Sequence, residues 1–281
     1  ILSVILILSA CDKQSDSNSS SSKDTITVKN TYEFKDKNHT HSRGKNKTET
    51  VKVPVNPKRV AVLDYGALDI MQQMGLQDKI VSIAKGQGAS FLPSSLSEFK
   101  NSKYTNLGNP GRPNYDELAK SKPNVIFASF RQAHKKTIDE MKKAAPNAKI
   151  LFVSPDNDNY ISSIKEHTTL FGKIFKKEEK AKALNHKLSE EVKEAKKVIN
   201  KDTVLLLNVD DKGISAFGPT GRFGGFLNKD LGINHADPKM KANSAGNIVT
   251  NEYLNKINPD KLFVINRTKN ADDKTLPSAL N

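Results

Sequence analysis

From Arg59 onward, short β-rich apolar segments alternate with segments of helical periodicity, and this alternation restricts the chain to few folds. The predicted strands cover residues 59–63, 80–84, 125–129 and 150–153, and the predicted helices cover residues 67–74, 115–120 and 138–144. Apolar runs of strand length separated by helices are typical of a parallel sheet with helices on its faces. The sequence therefore predicts an α/β lobe, which we assign to residues 25–158.

A β-hairpin is predicted at the start of this lobe. Apolar residues alternate with polar ones at the period of two that is typical of half-buried strands, at Ile26, Val28, Val51, Val53 and Val55. The intervening residues 35–46 are polar and contain His39 and His41, so they are predicted to form the loop of the hairpin.

The second half of the chain begins with a long helical pattern. Residues 159–200 contain no proline, and their apolar residues recur in steps of three and four, which predicts an amphipathic helix between two lobes. Gly172 and the Lys176–Lys177 pair are the places where it could divide into two helices. Strands at residues 203–209 and 261–265, with a helix at residues 253–257, predict a second α/β lobe.

We assign this second lobe to residues 201–281 and expect it to be incomplete in this chain. Asn281 follows shortly after a predicted strand, and the elements before it are too few for a sheet like that of the first lobe.

The N-terminal residues indicate export and attachment to a membrane. Residues 1–10 are uncharged and largely apolar and lead into Leu8-Ser9-Ala10-Cys11, an export segment that ends in small residues. This ending resembles the lipobox of bacterial lipoproteins, in which the cysteine becomes acylated. We therefore expect residues 1–11 to be a lipoprotein signal segment with lipid on Cys11, the only cysteine of the chain. An ordinary signal peptide with a chance cysteine is the alternative.

The residues after Cys11 are predicted to be a flexible tether. Residues 12–24 are rich in Ser, Asp and Asn and cannot bury enough apolar area to fold. The folded part would then lie on the extracytoplasmic face of the cell membrane, held there by the N-terminal lipid.

The formal net charge of +14 indicates an anionic partner, which could be a polymer, a membrane surface or a small ligand. No block of five or more basic residues occurs, and no basic stripe alternates with aromatic residues. The sequence therefore does not indicate nucleic-acid binding.

Three of the six arginines lie where ligands bind in α/β proteins. Arg131 and Arg267 each follow a predicted strand, Arg222 lies in a glycine-rich loop, and Lys85 also follows a strand. In open parallel sheets, ligands bind outside the carboxyl ends of the strands. Because guanidinium groups bond paired oxygens and stack on aromatic rings, this placement predicts a site for a multiply charged, oxygen-rich, aromatic anion. For each arginine alone, a surface or ion-paired position is the alternative.

Four segments carry a family resemblance, and they read NPKRVAVLDYGALD at residues 56–69, KPNVIF at 122–127, GPTGRFG at 218–224 and NPD at 258–260. On these segments the chain resembles the siderophore-binding lipoproteins of Gram-positive iron importers, within the class III solute-binding proteins. The likeness covers residues 56–267 and is strongest to the branch that takes up catecholate siderophores, including petrobactin-like and catecholamine-type ligands.

The resemblance implies an α/β fold with two Rossmann-like lobes joined by a single long helix, and a monomeric binding protein without enzymatic activity. It implies an ABC permease and ATPase as partners and a ferric siderophore as ligand. The residues matching Arg131, Arg222 and Arg267 would form a basic triad that grips the ferric complex. Ferric iron would arrive inside the chelate, so that the protein would supply no metal ligand and hold no cofactor.

One position departs from the pattern of some relatives. They have a His-Gly pair where this chain has Ala245-Gly246, and that histidine can complete the iron shell of an under-coordinated ligand. Its absence here leads us to expect a hexadentate, fully chelated complex.

Two other functions stay open at this stage. A haem receptor of the same fold would need an axial ligand, which Met71 or Met74 could supply. A basic surface adhesin would bind anionic wall or host polymers through scattered lysines and without a cleft. By contrast, no phosphate loop, nucleophile elbow or metal-binding histidine spacing beyond His39-x-His41 is present.

Overall fold

The computed structural model of the protein describes residues 24–35, 44–268 and 278–280. Cys11, the predicted signal segment, residues 12–23 of the tether, and His39 and His41 lie outside the described residues.

The first lobe is built on a five-stranded, fully parallel sheet. The strands of the lobe are β1 (Thr25–Phe34), β2 (Lys45–Pro54), β3 (Val60–Val62), β4 (Ile80–Ile83), β5 (Thr105–Asn106), β6 (Gly108–Asn109), β7 (Arg112–Pro113), β8 (Val125–Ala128) and β9 (Lys149–Phe152). Its helices are α1 (Tyr65–Gln73), α2 (Tyr115–Ser121) and α3 (Lys135–Ala144). The strand order in the parallel sheet is β5-β4-β3-β8-β9. The predicted strands and helices are thus present, with bounds shifted by a few residues.

Alternate residues of the central strand β3 pack into two different cores. Val60 and Val62 belong to a cluster that contains residues of α1, whereas Ala61 and Leu63 belong to a cluster on the opposite face that contains residues of α2 and α3. Burial of both faces is the reason why these strands are continuously apolar.

The predicted hairpin is also confirmed. β1 and β2 pair antiparallel from Thr25 opposite Pro54 to Phe34 opposite Lys45. The hairpin is held against the sheet by the stacking of Tyr32 on Phe152 and by two hydrogen bonds between the Asn30 side chain and the Phe152 backbone. The hairpin therefore extends the first lobe along its β9 edge.

The single long helix expected between the lobes is instead two helices, α4 (Tyr160–Phe175) and α5 (Glu178–Val198). The chain breaks at Lys176, which has a left-handed φ of 55°, so the possible break at the Lys176–Lys177 pair is confirmed. Phe171 and Phe175 of α4 pack on Phe127 of β8. Because α5 packs back along α4, the connection between the lobes is a helical hairpin.

The second lobe has a mixed five-stranded sheet. Its strands are β10 (Thr203–Asp210), β11 (Gly213–Ala216), β12 (Asn234–His235), β13 (Asn247–Val249) and β14 (Lys261–Asn266), and its helix is α6 (Asn251–Ile257). β10 pairs parallel with β12 and β14 and antiparallel with β11, which pairs with β13. The sheet thus has five strands, as does the first, but it is mixed and not parallel, and β12 and β13 have only two and three residues. The expectation that the second lobe is incomplete stays a prediction.

Candidate functional site

The carboxyl ends of β3 and β8 mark the position where ligands bind in sheets of this kind. From β3 the chain proceeds to β4 and β5 on one side and later to β8 and β9 on the other, so the strand order reverses between β3 and β8. Ligand crevices form outside the carboxyl ends of strands at such a reversal. The residues directly after β3 and β8 are therefore the first candidates for a site.

Arg131 lies on a turn that follows β8 and is fixed by several hydrogen bonds. This 3₁₀ turn, Phe130–Gln132, begins with a capping box in which the Ser129 hydroxyl accepts from the turn and the Gln132 side chain accepts from the Ser129 backbone N–H. A capping box satisfies backbone donors that would otherwise have no partner. The guanidinium of Arg131 is exposed and lies 4.5 Å from the centre of the Phe130 ring. Arg131 is therefore presented at the switch point on a turn with defined hydrogen bonds.

Arg222 comes from the glycine-rich loop of the second lobe, residues 218–225. Its guanidinium lies 4.9 Å and 5.9 Å from the centres of the Phe223 and Phe217 rings, and its Nη1 donates to the backbone carbonyl of Ser244 at 3.0 Å. Contacts of this kind fix a guanidinium plane without neutralising its charge. Arg222 is half-buried. These contacts orient its guanidinium group, and its charge stays available to a ligand.

Arg267 follows β14, and its backbone N–H donates to the carbonyl of Val209 at the end of β10. Burial, followed by the charges of Arg131 and Arg267, lowers the pKa of Arg222. The three arginines thus lie close enough for their charges to interact, although they come from different strand ends in two lobes. The structure places these three predicted residues in one region, and their role in binding stays a prediction.

Asp64 also lies at this switch point, although the strand-end prediction did not include it. It directly follows β3 and caps α1, where its Oδ1 accepts from the Ala67 N–H at 3.0 Å. Its Oδ2 accepts from the Ser154 hydroxyl at 2.8 Å, and the same hydroxyl oxygen accepts from the Phe130 N–H at 2.9 Å. Burial raises the pKa of the Asp64 carboxyl, and hydrogen bonds and the charge of Arg131 oppose this shift. Asp64 is thus linked through Ser154 to the turn that carries Arg131.

Lys85 does not join the arginines, which corrects its assignment to the site. Its backbone follows β4 as predicted, but its side chain is buried, and its Nζ donates to the carbonyl of Asn101 at 2.8 Å. Its ammonium group also lies 5.8 Å from the centre of the Tyr104 ring. Burial lowers the pKa of Lys85. This lysine supports the loop before β5 from inside the first lobe, so we remove it from the set of candidate ligand-binding residues.

The two methionines considered as haem ligands are also directed into the first lobe. Met71 and Met74 have exposed fractions of 0% and 4% and belong to its main hydrophobic core. Neither sulfur is therefore available to a haem at the strand ends, so this particular version of the haem hypothesis is not supported.

Two negative findings hold for residues 24–35, 44–268 and 278–280. Within these ranges, no three residues of the types His, Cys, Asp and Glu gather closely enough to hold a metal ion. Among the helices of the same described part of the chain, none has the length and the apolar character that crossing a membrane requires.

Comparison with known proteins places this chain among binding proteins. The family model described as "Periplasmic binding protein" matches residues 60–280. The petrobactin-binding protein YclQ of Bacillus subtilis is 38% identical over 220 residues, which are 77% of this chain and 66% of YclQ. The ferric-anguibactin-binding protein FatB of Vibrio anguillarum is 27% identical over 79% of this chain and 68% of FatB. The chain thus spans about two thirds of the length of these relatives.

Solved structures give the same result for the fold. The crystal structure of YclQ superposes with a TM-score of 0.73 at 34% identity and covers 87% of this chain and 78% of the YclQ chain. The catecholate-siderophore-binding protein VctP of Vibrio cholerae superposes with a TM-score of 0.68 at 25% identity, over 87% of this chain and 79% of that chain. The two-lobed α/β architecture described above is therefore shared with these proteins.

Proposed function

We propose that this chain, which belongs to the periplasmic binding protein family, is the substrate-binding component of an ABC importer and captures a ferric siderophore. The residues in contact with the ligand are Arg131, Arg222 and Arg267, and the ligand lies between the two lobes. The relatives named for petrobactin and ferric anguibactin support this function, and the catecholate branch of the resemblance supports an anionic catecholate ligand. The protein binds and releases its ligand without catalysing a reaction.

The proximity of three guanidinium groups is the observation that carries this proposal. The three arginines place three positive charges in one region, and the charges of Arg131 and Arg267 add to the effect of burial in lowering the pKa of Arg222. A ferric tris-catecholate is a trianion whose six oxygens surround the iron and whose aromatic rings point outward, leaving the oxygens accessible between the rings. Charge-assisted hydrogen bonds to such oxygens are shorter and stronger than neutral ones. The ligand therefore supplies negative charge opposite the three guanidinium groups.

The aromatic residues beside the arginines suit the same class of ligand. Phe130 is 52% exposed next to Arg131, and Phe217 and Phe223 flank Arg222. A catechol ring offers a face that packs on an aromatic side chain or on a guanidinium plane. Iron reaches the protein as part of the ligand, because the three guanidinium groups donate hydrogen bonds and do not bind metal ions.

The same proposal includes the location of the protein in the cell. Cys11 carries lipid, residues 12–24 form the tether, and the two lobes work on the extracytoplasmic face of the membrane beside a permease with its ATPase. The Leu8-Ser9-Ala10-Cys11 motif supports this arrangement, as does the relative YhfQ, which is named a putative substrate-binding lipoprotein. Incorporation of labelled palmitate into the protein, and its loss in Cys11→Ser, tests the anchor separately from the binding site.

A titration with ferric siderophores tests the binding site. The probes are ferric petrobactin and ferric bacillibactin, with ferric citrate as a ligand that has no aromatic rings. We expect tight binding of at least one catecholate complex, and Arg131→Ala, Arg222→Ala and Arg267→Ala each to weaken it at least about tenfold, because each removes a charge-assisted contact worth about 1.5–3 kcal/mol. Lys193→Ala is the control, because it removes one positive charge from an exposed position of α5.

Two results would contradict the proposal. Equal affinity in the three arginine variants and the control would exclude the arginines as the binding site. A shift of the haem Soret band on addition of the protein, without any binding of ferric catecholates, would favour a haem receptor. For the adhesin alternative, the sign is retention on anionic wall polymer that persists in the triple arginine variant.

A further inference from the structure

The like charges of Arg131 and Arg222 affect the position of the loop that carries Arg222. Arg222 lies in the second lobe and Arg131 in the first, and their like charges repel across the space between the lobes. Without a bound anion, this repulsion favours withdrawal of the loop that carries Arg222. Several contacts between the lobes occur directly beside this loop and oppose such a withdrawal.

The first contact joins Asp158 to the residue before Arg222. The Asp158 carboxylate accepts a hydrogen bond from the backbone N–H of Gly221 at 2.9 Å. Gly221 has a φ of 75°, a left-handed conformation that glycine adopts without strain. Asp158 lies in the segment between β9 and α4, so this bond ties the Arg222 loop to the first lobe at the residue where the loop turns.

The second contact is a very close approach of two backbones. A Cβ atom added to Gly225 would overlap the carbonyl oxygen of Asn157, so no side chain fits at this position. Next to this point, the rings of Tyr160 and Phe226 pack with their centres 5.5 Å apart. The end of the Arg222 loop is therefore pressed against the start of α4.

The third contact supplies a helix cap from the other lobe. Asn159, at the N-cap position of α4, makes no side-chain capping bond. Instead, Asp230 of the π-helical turn Gly225–Asp230 accepts from the Ile161 N–H at 2.9 Å, and Lys229 Nζ donates to Asn159 Oδ1 at 2.9 Å. A carboxylate at a helix N-terminus satisfies a free N–H and interacts favourably with the helix dipole.

We propose that Asp158 and Asp230 are positioning residues that clamp the loop of residues 218–230 onto the start of α4 and so hold Arg222 beside Arg131 before the ligand arrives. This inference rests on the proposed function. The clamp offsets the repulsion between the arginines in advance, so ligand binding does not have to bring the charges together. Preorganisation of this kind increases affinity by lowering the cost of binding.

Two substitutions at one position separate this role from a purely electrostatic one. Asp158→Ala removes the acceptor for the Gly221 N–H, and we expect it to weaken binding of ferric petrobactin or ferric bacillibactin about tenfold, the equivalent of one charge-assisted hydrogen bond. Asp158→Asn keeps an acceptor oxygen and removes the charge, so we expect it to retain most of the affinity. We also expect the loss in Asp158→Ala to be larger at low ionic strength, where the arginines repel more strongly.

A distance measurement tests the clamp without any ligand. Cys11→Ser leaves the full chain without a thiol, so spin labels can be placed on Lys136→Cys in the first lobe and Lys239→Cys in the second. We expect one narrow distance distribution in this background and a broader or longer one after Asp158→Ala or Asp230→Ala. Glu190→Ala, which removes an exposed acid from α5, should leave the distribution unchanged. Circular dichroism establishes that each variant is folded, and Lys229→Ala is a milder variant of the clamp.

The outcomes separate the clamp from the proposed function. If the wild type binds neither ferric complex, the proposed function fails, while the distance distributions still decide whether the clamp exists. If the wild type binds and Asp158→Ala keeps both its affinity and its narrow distribution, the clamp is refuted. If Asp158→Asn loses as much affinity as Asp158→Ala, the charge of Asp158 acts directly and the positioning role is refuted.

Discussion

At the scale of single residues, Asp64 and Arg131 differ at the switch point of the first sheet both in charge and in exposure to solvent. Arg131 presents its guanidinium outward, whereas Asp64 is buried at the end of β3 and is linked to the Arg131 turn through Ser154. A buried carboxylate is costly unless hydrogen bonds compensate for its lost hydration. Asp64 has such bonds, but burial still raises the pKa of its carboxyl. Ionised Asp64 therefore makes the protein less stable at neutral pH than at a lower pH where the carboxyl is protonated.

Comparison of the wild type with Asp64→Asn should show this cost as a pH dependence. Asparagine keeps the oxygen that caps α1 but does not titrate. Because the native pKa of Asp64 lies above the ordinary value of 3.8, the native state takes up a proton before the unfolded chain does as the pH falls. We therefore expect the free energy of unfolding of the wild type to rise relative to Asp64→Asn between neutral pH and about pH 4.

Urea unfolding of both proteins at several pH values in this range measures the difference. The other titrating groups are common to both proteins and cancel to first order. A constant difference, or one that favours the wild type more as the pH rises, would mean that Arg131 and the hydrogen bonds outweigh the effect of burial.

Position along the chain predicted that Arg131 and Arg267 lie just after strands, as the structure shows, but it did not predict side-chain direction. The ends of β8 and β14 indicated Arg131 and Arg267 because parallel strands present the residues after them at the same edge. The same rule selected Lys85, yet the backbone turns at Gly86, with a φ of 78°, and the lysine side chain passes inward to Asn101. Asp64 obeys the rule as well and could have been selected, since it directly follows β3.

At the scale of elements, the close packing of α4 and α5 explains why the connection is a helical hairpin and not one helix. Lys176 ends α4 in a left-handed conformation, and α5 then packs against α4 through Ala181. A Cβ atom on Gly172 would lie 2.7 Å from the Ala181 Cβ, so the two helices approach at a pair of small residues. The apolar period continues through both helices, which is why the sequence left a single helix and a pair of helices both open.

Gly172→Ala is expected to separate the two helices and destabilise the protein by about 1–3 kcal/mol, the usual cost of overpacking. The steric conflict is with one methyl group, so Ala181→Gly in the same chain should restore part of the loss. A double-mutant cycle measured by chemical unfolding tests this, and we expect a favourable coupling between the two positions. Simple additivity of the two single variants would show that the conflict lies elsewhere, for example with the Cα of Glu178, which is 3.3 Å from a Cβ on Gly172.

The second lobe marks the limit of element prediction. β10 and β14 are long apolar runs and were predicted, whereas β11, β12 and β13 have only two to four residues, some of them polar, and were not. Strands this short are defined by their partners on neighbouring strands rather than by their own composition. The pairing of β12 with β10 and of β13 with β11 is therefore information that local patterns do not contain.

At the scale of the whole molecule, both lobes contribute residues to the arginine cluster. The first lobe supplies Arg131 from the end of a parallel sheet, and the second supplies Arg267 from the end of a strand in its mixed sheet and Arg222 from its glycine-rich loop. The formal net charge of +14 adds a long-range attraction for anions, which raises the rate of encounter more than the final affinity. Specificity would then come from the local geometry of the guanidinium and aromatic groups and not from the overall charge.

Anomalous scattering from iron would locate a bound ferric complex relative to Arg131, Arg222 and Arg267. Crystals of the protein with the ferric complex that binds most tightly in titration would be measured on both sides of the iron absorption edge. We expect one strong iron peak between the three guanidinium groups, outside the carboxyl ends of β3, β8 and β14, with no protein atom bound to the metal. A peak at any other place, or iron coordinated directly by protein side chains, would contradict this expectation.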